Sequence, residues 1–199
     1  MILKTMNVND LSGSDLITWF LTMPEERQER YNKIRDIVAR KCGIAADHLA
    51  RASIADYLLI PLESVQILHT EAGKPYVEGN PCYFSLSHSG ETVVCAVSDK
   101  PIGVDVERIR PIDQGIAKKI CTEEEFTVLN RIADQTEQNR FLLQIWTRKE
   151  AIFKIEGALP RKDREIDTLN PAGISIQTQE IENYLISIAE KHVIPECCS

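Results

Sequence analysis

The sequence lacks several patterns that would assign it to a specialised class of protein. It has no apolar run long enough to span a bilayer, so we expect no membrane helix. The stretch Met1–Asn9 lacks the apolar core of a signal peptide, and we therefore expect a cytoplasmic protein. None of the 6 cysteines forms a C-x-x-C pair or has a histidine at zinc-like spacing. Reduced thiols are therefore predicted, without a disulfide framework or a zinc site.

The bulk composition is that of an ordinary globular protein. The 199 residues are 43% hydrophobic and 27% charged, enough for one sizeable domain or two small packed halves. The formal net charge of -7 argues against general nucleic-acid binding.

The first third of the chain is predicted to be mainly helical after an initial strand at residues 1–8. Thr22, Pro24 and the acidic residue after it predict a helix start with Thr22 as the N-cap. This helix is expected to be interrupted or bent at Gly43 and then to resume. Arg27 and Arg30 are three residues apart on it, so two guanidinium groups can meet one anion. From this spacing alone, a solvated helix face is the favoured alternative.

Strand patterns dominate the middle and the end of the chain. Residues 65–69, 83–87, 92–97 and 102–106 are predicted strands, and a closing hairpin is predicted from residues 174–178 and 184–188. Capping patterns at residues 122–125 and 134–137 predict two further helices. Because each half holds helices and antiparallel strands, two α+β halves are predicted to meet near residues 98–102.

Two carboxylates occur in the predicted strand at residues 102–106 and just beyond it. Asp105 and Glu107 are two residues apart, which puts both side chains on one face of a strand. Hard oxygen ligands on one face suit Mg²⁺. The alternative is the polar face of an amphipathic strand, although strand interiors are depleted in Asp and Glu.

A row of ionisable side chains interrupts an apolar helix near residue 150. Trp146, Glu150 and Lys154 follow one another at intervals of four residues and so lie nearly in line. The apolar face of the same helix is expected to be buried. This row suits a functional site, and the alternative is a surface ion pair between Glu150 and Lys154. Lys149 points away from the row and has no predicted partner.

Four motifs occur in order along the chain. They are Gly73-Lys74-Pro75-Tyr76, Phe84-Ser85-Leu86-Ser87-His88-Ser89-Gly90, Gly103-Val104-Asp105-Val106-Glu107 and Trp146-Thr147-Arg148-Lys149-Glu150-Ala151-Ile152-Phe153-Lys154. Together they resemble the 4′-phosphopantetheinyl transferase superfamily, in its surfactin-type (Sfp-type) branch. The resemblance implies an α+β fold of two similar halves related by a pseudo-twofold axis, with the site in the cleft between them. The halves would be residues 1–99, with the coenzyme A nucleotide contacts, and residues 100–199, with the metal and catalytic residues.

The resemblance also implies a reaction, the transfer of the phosphopantetheine arm of coenzyme A to a serine of an apo acyl or peptidyl carrier protein. Mg²⁺ would be required and adenosine 3′,5′-bisphosphate released. Asp105, Glu107 and Glu150 match the metal ligands of the family, and Glu150 also matches the proposed base. Lys154 matches the lysine that contacts the phosphates and protonates the leaving group.

The nucleotide contacts implied by the resemblance lie in the first half of the chain. Lys74 and Pro75 match the nucleotide-binding turn, and Ser87 and His88 match a phosphate-contacting pair, with His88 at the 3′-phosphate. Arg27 and Arg30 stand where the family often has a basic pair. The basic residues expected to meet an acidic carrier protein are Lys118, Lys119, Arg148, Arg161, Lys162 and Arg164.

The sequence departs from the family pattern in two places. Ser85 stands where the family commonly has Asn, and the region after Lys154 is short for this branch. Two other functions compete with the transferase: a different Mg²⁺-dependent phosphotransferase, and a non-catalytic relative that binds coenzyme A or a carrier protein. A monomer is expected, with no nucleic-acid or membrane partner.

Overall fold

The computed structural model describes residues 1–71, 73–156 and 163–192. Contacts divide the chain into two compact units, Met1–Ser98 and Asp99–Ser199. Each unit is built from helices and antiparallel strands.

The first unit places a long helix against a three-stranded sheet. Its described elements are β1 (Ile2–Asn7), α1 (Gly13–Leu21), α2 (Glu25–Asn32), α3 (Ile37–Leu58), β2 (Ile67–His69), β3 (Pro75–Val77), β4 (Tyr83–Ser89) and β5 (Thr92–Ser98). The sheet order is β1-β5-β4, and β2 pairs with β3 in a separate hairpin. All seven residues of β5 are buried because this strand is central and α3 packs on it.

Two predictions about the helices of this unit are wrong. The helix that carries Arg27 begins at Glu25, with Pro24 rather than Thr22 at the N-cap position. Its break lies at residues 33–36, where the side chain of Asp36 accepts a hydrogen bond from the backbone of Ala39 and so caps α3. The new helix then runs through Gly43 without interruption.

Gly43 has a packing role in place of the predicted break. A Cβ atom at this position would lie 2.4 Å from Cε1 of Tyr31. Its absence lets the ring of Tyr31 lie directly on α3, which draws α2 onto the longer helix.

The second unit places one long helix across another three-stranded sheet. Its described elements are β6 (Ile102–Arg108), α4 (Ala117–Ile120), α5 (Glu123–Arg131), α6 (Gln135–Glu156), β7 (Ile174–Ile181) and β8 (Tyr184–Lys191). The sheet order is β6-β8-β7, all antiparallel. The predicted capping box of α5 is present, with Thr122 and Glu125 bonding each other's backbone.

Gly103 brings α6 into direct contact with β6. A Cβ atom at Gly103 would lie 1.9 Å from the carbonyl oxygen of Ala151 on α6. No real side chain fits at that separation, so the helix and strand approach more closely here than any other residue would permit. Residues 103, 105 and 107 share one strand face, and this face is therefore turned toward α6.

The α+β class is confirmed, because each of the two units contains helices and antiparallel strands. The four described cysteines, Cys42, Cys82, Cys95 and Cys121, are free, and all four are buried. In the described part of the chain, no helix is long and apolar enough to cross a bilayer. The predicted docking residues Arg161 and Lys162 lie outside the described ranges.

Candidate functional site

A basic cavity of about 750 Å³ opens in the first unit. Arg27 and Arg30, the predicted basic pair, both line it. Its other lining residues come from three parts of the unit: Pro24, Glu26, Glu29, Lys33, Arg51, Ile67, Leu68, His69 and Gly73. Four guanidinium or ammonium groups against two carboxylates favour an anionic ligand of the size of a nucleotide.

Arg27 is held in place by side chains from three elements. Its Nη2 atom donates to Tyr31 Oη at 3.1 Å on α2 and to Asp47 Oδ1 at 2.8 Å on α3. Its Nη1 atom lies 3.2 Å from His69 Nε2 at the end of β2. Because folding has already ordered this long side chain, Arg27 is pre-organised to bind an anion.

Asp47 joins Arg27 to a second arginine. Its side chain is 4% exposed, and its Oδ2 atom accepts from Arg51 Nε at 3.2 Å. Arg51 also donates to the backbone oxygen of Val65 at 2.7 Å. One carboxylate therefore fixes two guanidinium groups at the cavity wall, and the three groups together retain a net positive charge.

His69 is neutral in this arrangement. An arginine can only donate, so Nε2 of His69 must accept from Arg27. Desolvation lowers the pKa of His69, and the positive charges of Arg27 and Arg30 lower it further, against the opposing effects of Asp47 and Glu26. The cavity thus contains a histidine whose pKa is lowered by burial and by its arginine neighbours while no ligand is bound.

The predicted turn residues lie beside this cavity. Gly73, in the left-handed region at φ +81, closes the β2–β3 hairpin and lines the cavity. The Lys74 amide donates to Thr70 Oγ1 at 3.1 Å, which fixes the loop that carries the lysine and Pro75. Within the described residues, the lining of this cavity does not include Lys74.

Ser87 and His88 lie on β4 with different environments. Ser87 is buried, and His88 is exposed near the end of the strand. His88 shares its strand face with Phe84 and Leu86, which pack into the core of the unit. Neither Ser87 nor His88 is among the described residues that line the cavity.

A second candidate site lies between β6 and α6 of the second unit. Lys154 Nζ is 2.8 Å from Asp105 Oδ1, and Trp146 Nε1 donates to Glu107 Oε1 at 3.3 Å. The helical row from Trp146 to Lys154 therefore runs antiparallel to the strand face that carries the carboxylates. Glu150 is half-buried and lies between the two contacts on that row.

The donor set in this region suits a hard divalent cation. Asp105 and Glu107 supply carboxylate oxygens from one strand face, and Glu150 supplies another from the facing helix row. Over residues 1–71, 73–156 and 163–192, however, no three His, Cys, Asp or Glu side chains are gathered closely enough to form a metal site. The metal role of these three carboxylates stays a prediction.

Lys149 has a structural partner that the sequence did not reveal. Its Nζ atom lies 2.8 Å from Glu125 Oε2 and donates to the backbone oxygen of Ile166 at 2.7 Å. The other oxygen of Glu125 accepts from both the amide and the hydroxyl of Thr168, each at 2.8 Å. This buried network ties α6 to α5 and to residues 166–168.

Hydrogen bonds from Thr147 and Arg148, which directly precede Lys149, also hold α6 on its sheet. Thr147 Oγ1 lies 2.7 Å from Ser187 Oγ on β8, and both side chains are buried. Arg148, a predicted docking residue, donates to Thr178 Oγ1 on β7 at 2.9 Å. Lys118, Lys119 and Arg164 are exposed.

Sequence reasoning missed Asp47, Arg51 and His69. Asp47 and Arg51 are four residues apart, a spacing that equally describes an exposed helical ion pair. His69 lies far from Arg27 along the chain, and only the tertiary fold brings the two together.

Comparison with known proteins gives the same family in both halves of the chain. A family model described as the 4′-phosphopantetheinyl transferase superfamily matches residues 101–195, and one described as 4′-phosphopantetheinyl transferase, N-terminal, matches residues 12–100. The 4′-phosphopantetheinyl transferase psf-1 of Bacillus pumilus is 34% identical over 135 residues, which cover 66% of this chain and 57% of the relative.

Two other relatives extend the comparison. The 4′-phosphopantetheinyl transferase Sfp of Bacillus subtilis (strain 168) is 33% identical over 115 residues, covering 57% of this chain and 51% of the relative. The 4′-phosphopantetheinyl transferase AcpT of Salmonella typhimurium is 31% identical over 148 residues, covering 72% and 75%. The chain thus spans little more than half the length of the Bacillus relatives and three quarters of AcpT.

Proposed function

This chain belongs to the 4′-phosphopantetheinyl transferase superfamily, similar to its Sfp-type members, and we propose that it is an active transferase. The proposed reaction moves the phosphopantetheine arm of coenzyme A to a serine hydroxyl of an apo acyl or peptidyl carrier protein. It releases adenosine 3′,5′-bisphosphate.

The observation that carries the proposal is the facing pair of strand β6 and helix α6. The side chains along this pair include a proposed base, Glu150, and a cation, Lys154. Two further carboxylates, Asp105 and Glu107, lie on the strand. Breaking a pyrophosphate bond requires a base for the nucleophile and positive charge at the leaving oxygen. A protein that only bound coenzyme A would have no need of the base.

In the proposed reaction, Glu150 accepts the proton of the carrier serine, directly or through water. Lys154 contacts the phosphates and gives a proton or a positive charge to the leaving group. Its 2.8 Å contact with Asp105 supports this role, since the carboxylate holds the ammonium on the strand face. Trp146, bonded to Glu107, fixes the orientation of the neighbouring turn of α6.

Asp105, Glu107 and Glu150 would hold Mg²⁺. The donor chemistry fits, because carboxylate oxygens are the ligands that Mg²⁺ prefers. When bound, the ion would neutralise charge on the pyrophosphate and lower the pKa of a bound water.

The basic cavity of the first unit supports the nucleotide half of the proposal. Arg27 and Arg30 would meet a phosphate there, and the Lys74–Pro75 turn, Ser87 and His88 would contribute the remaining nucleotide contacts. The proposal assigns the nucleotide contacts to residues 1–99 and the metal and catalytic residues to residues 100–199. We also propose that the protein is a monomer in the cytoplasm. Lys118, Lys119 and Arg164 would be among the residues that contact the carrier protein.

The direct test is the mass of a carrier protein after incubation with this protein, Mg²⁺ and coenzyme A. We expect at least one apo carrier protein in a panel to gain the mass of one phosphopantetheine. If no carrier in a panel of fatty-acid, polyketide and peptide types gains that mass, the proposed activity is wrong.

The role of Glu150 is tested separately in the same assay. Glu150→Gln keeps the side-chain shape and removes the base, so turnover should fall about 100-fold or more while coenzyme A binding persists. Glu137→Gln, an exposed change on the same helix, should leave turnover intact. Turnover of Glu150→Gln within a few-fold of the unchanged protein would remove Glu150 from the role of base.

A further inference from the structure

The contact between Arg27 and His69 has a consequence for ligand binding, which rests on the proposed nucleotide-binding function. His69 Nε2 lies 3.2 Å from Arg27 Nη1, and both residues line the basic cavity. This contact requires the uncharged ring, since a second proton on His69 would place two N–H donors against each other.

We propose that His69 is a specificity-determining residue that takes up a proton when a phosphate monoester enters the cavity, and so couples nucleotide binding to pH. The histidine changes partner during binding. Without a ligand, it accepts from Arg27. With a phosphate dianion beside Arg27, it becomes an imidazolium that donates to the ligand, and the proton comes from solvent.

The charged groups around His69 determine whether its ring is neutral or protonated. Arg27 and Arg30 on α2 disfavour a positive charge on His69 while no ligand is bound, and Lys33 and Arg51 add positive charge to the lining of the cavity. Asp47 on α3 and Glu26 on α2 oppose the two arginines, although Asp47 is already engaged by Arg27 and Arg51. Glu29 on α2 also lines the cavity. A dianion inserted among these groups reverses the balance, because an opposite charge within hydrogen-bonding distance favours the imidazolium.

The ion pair with Asp47 keeps the Arg27 side chain in its position when a ligand binds. The buried carboxylate holds Arg27 Nη2 at 2.8 Å, and Tyr31 holds the same atom at 3.1 Å. Arg27 therefore stays at the wall, and His69, which is exposed at the end of β2, is the group free to turn. The coupling should favour phosphate monoesters, whose dianion carries more charge than a phosphodiester.

The proton uptake can be counted by calorimetry. Adenosine 3′,5′-bisphosphate is titrated into the full chain near pH 6.5, in two buffers that differ in ionisation enthalpy. We expect the unchanged protein to take up more protons per ligand than His69→Gln, in which the amide oxygen still accepts from Arg27 but cannot titrate. His48→Gln is the matched control, since His48 stacks on Trp19 and is not among the described residues of the cavity lining.

The affinity should show the same coupling. The ratio of the dissociation constants at pH 8 and pH 6.5 should exceed one for the unchanged protein and for His48→Gln. It should rise by up to about tenfold for each unit by which the ligand raises the pKa of His69. For His69→Gln, only the titration of the phosphate itself should remain.

The outcomes separate the two proposals. If the bisphosphate binds but proton uptake by His69→Gln equals that of the unchanged protein, the coupling is wrong and the transferase proposal stands. If the unchanged protein does not bind the bisphosphate, both proposals are wrong. Nitrogen chemical shifts of the His69 ring in the unchanged protein give a second measurement, and they should move to imidazolium values when ligand is added.

Discussion

The ammonium group of Lys149 lies 2.8 Å from a carboxylate oxygen of Glu125, and both side chains are almost completely buried, at 2% and 0% exposure. The same carboxylate accepts from the Thr122 amide and from Thr168, so all of its lone pairs face donors. Lys149 directly precedes Glu150 in the motif. The buried pair therefore anchors the turn of α6 that carries the proposed base.

Removing one partner of this pair should destabilise the second unit strongly. Lys149→Met leaves the Glu125 charge buried without its ammonium partner, and we expect a loss of about 3–5 kcal/mol in the free energy of unfolding. Urea unfolding measures it. Replacing both residues, Glu125→Leu with Lys149→Met, should recover part of the loss. A single variant within about 1 kcal/mol of the unchanged protein would contradict this account.

Gly103→Ala should push α6 away from β6. The new Cβ meets a backbone oxygen, which cannot turn aside as a side chain would, so we expect a loss of about 1–3 kcal/mol or more. Gly13→Ala, at the first position of α1 with open space around it, is the control and should not destabilise. Because Lys154 and Asp105 would separate, turnover of Gly103→Ala should fall even where the protein remains folded. Full turnover in a folded variant would show that the close approach is not required.

Gly43→Ala should have a larger effect on the affinity for the nucleotide than on the free energy of unfolding. Alanine favours the helix by about 1 kcal/mol over glycine, which offsets part of the clash with Tyr31. The displaced Tyr31 hydroxyl no longer holds Arg27, so the dissociation constant for adenosine 3′,5′-bisphosphate should rise several-fold. Gly13→Ala again serves as the control, and equal affinities of the two variants would contradict the link from Gly43 to Arg27.

Stability should decline as pH falls below the ordinary histidine value of about 6.5. The ring of His48 stacks on Trp19 with centroids 3.8 Å apart, and burial lowers the pKa of His48 despite Asp47 and Asp15 nearby. The unfolded chain then binds more protons than the native one, so stability is full above that value and decreases as pH falls toward the lowered native pKa.

His48→Gln should flatten this dependence, measured as the free energy of unfolding between pH 7.5 and pH 5.5. His69→Gln should flatten it less, because His69 is more exposed. An unchanged slope in His48→Gln would assign the acid sensitivity to other groups.

The buried thiols offer no competing chemistry. Burial raises the pKa of Cys95 to about 12 and that of Cys121 to about 11, so neither forms a reactive thiolate near neutral pH. Burial also raises the pKa of Cys42 and of Cys82, so the four described cysteines are all poor nucleophiles.

Local patterns determined most elements of the fold. Alternation predicted the strands β4 and β5 and the β7–β8 hairpin, and capping chemistry predicted the start of α5, because both signals act within a few residues. The break between α2 and α3 was misplaced, since a glycine inside a helix suggests a break unless a distant ring occupies the space that it leaves. Tyr31 occupies that space at Gly43.

The sequence by itself determined the family, the α+β class and the residues along β6 and α6, because those motifs consist of neighbours on one strand and one helix row. Only the tertiary structure decided that Lys149 is buried against Glu125, that Gly103 lets α6 meet β6, and that Asp47 and His69 hold Arg27 at a cavity. Each of these contacts joins residues far apart in the chain. Burial and long-range packing, rather than spacing, decide whether such a charge is a surface group or part of a site.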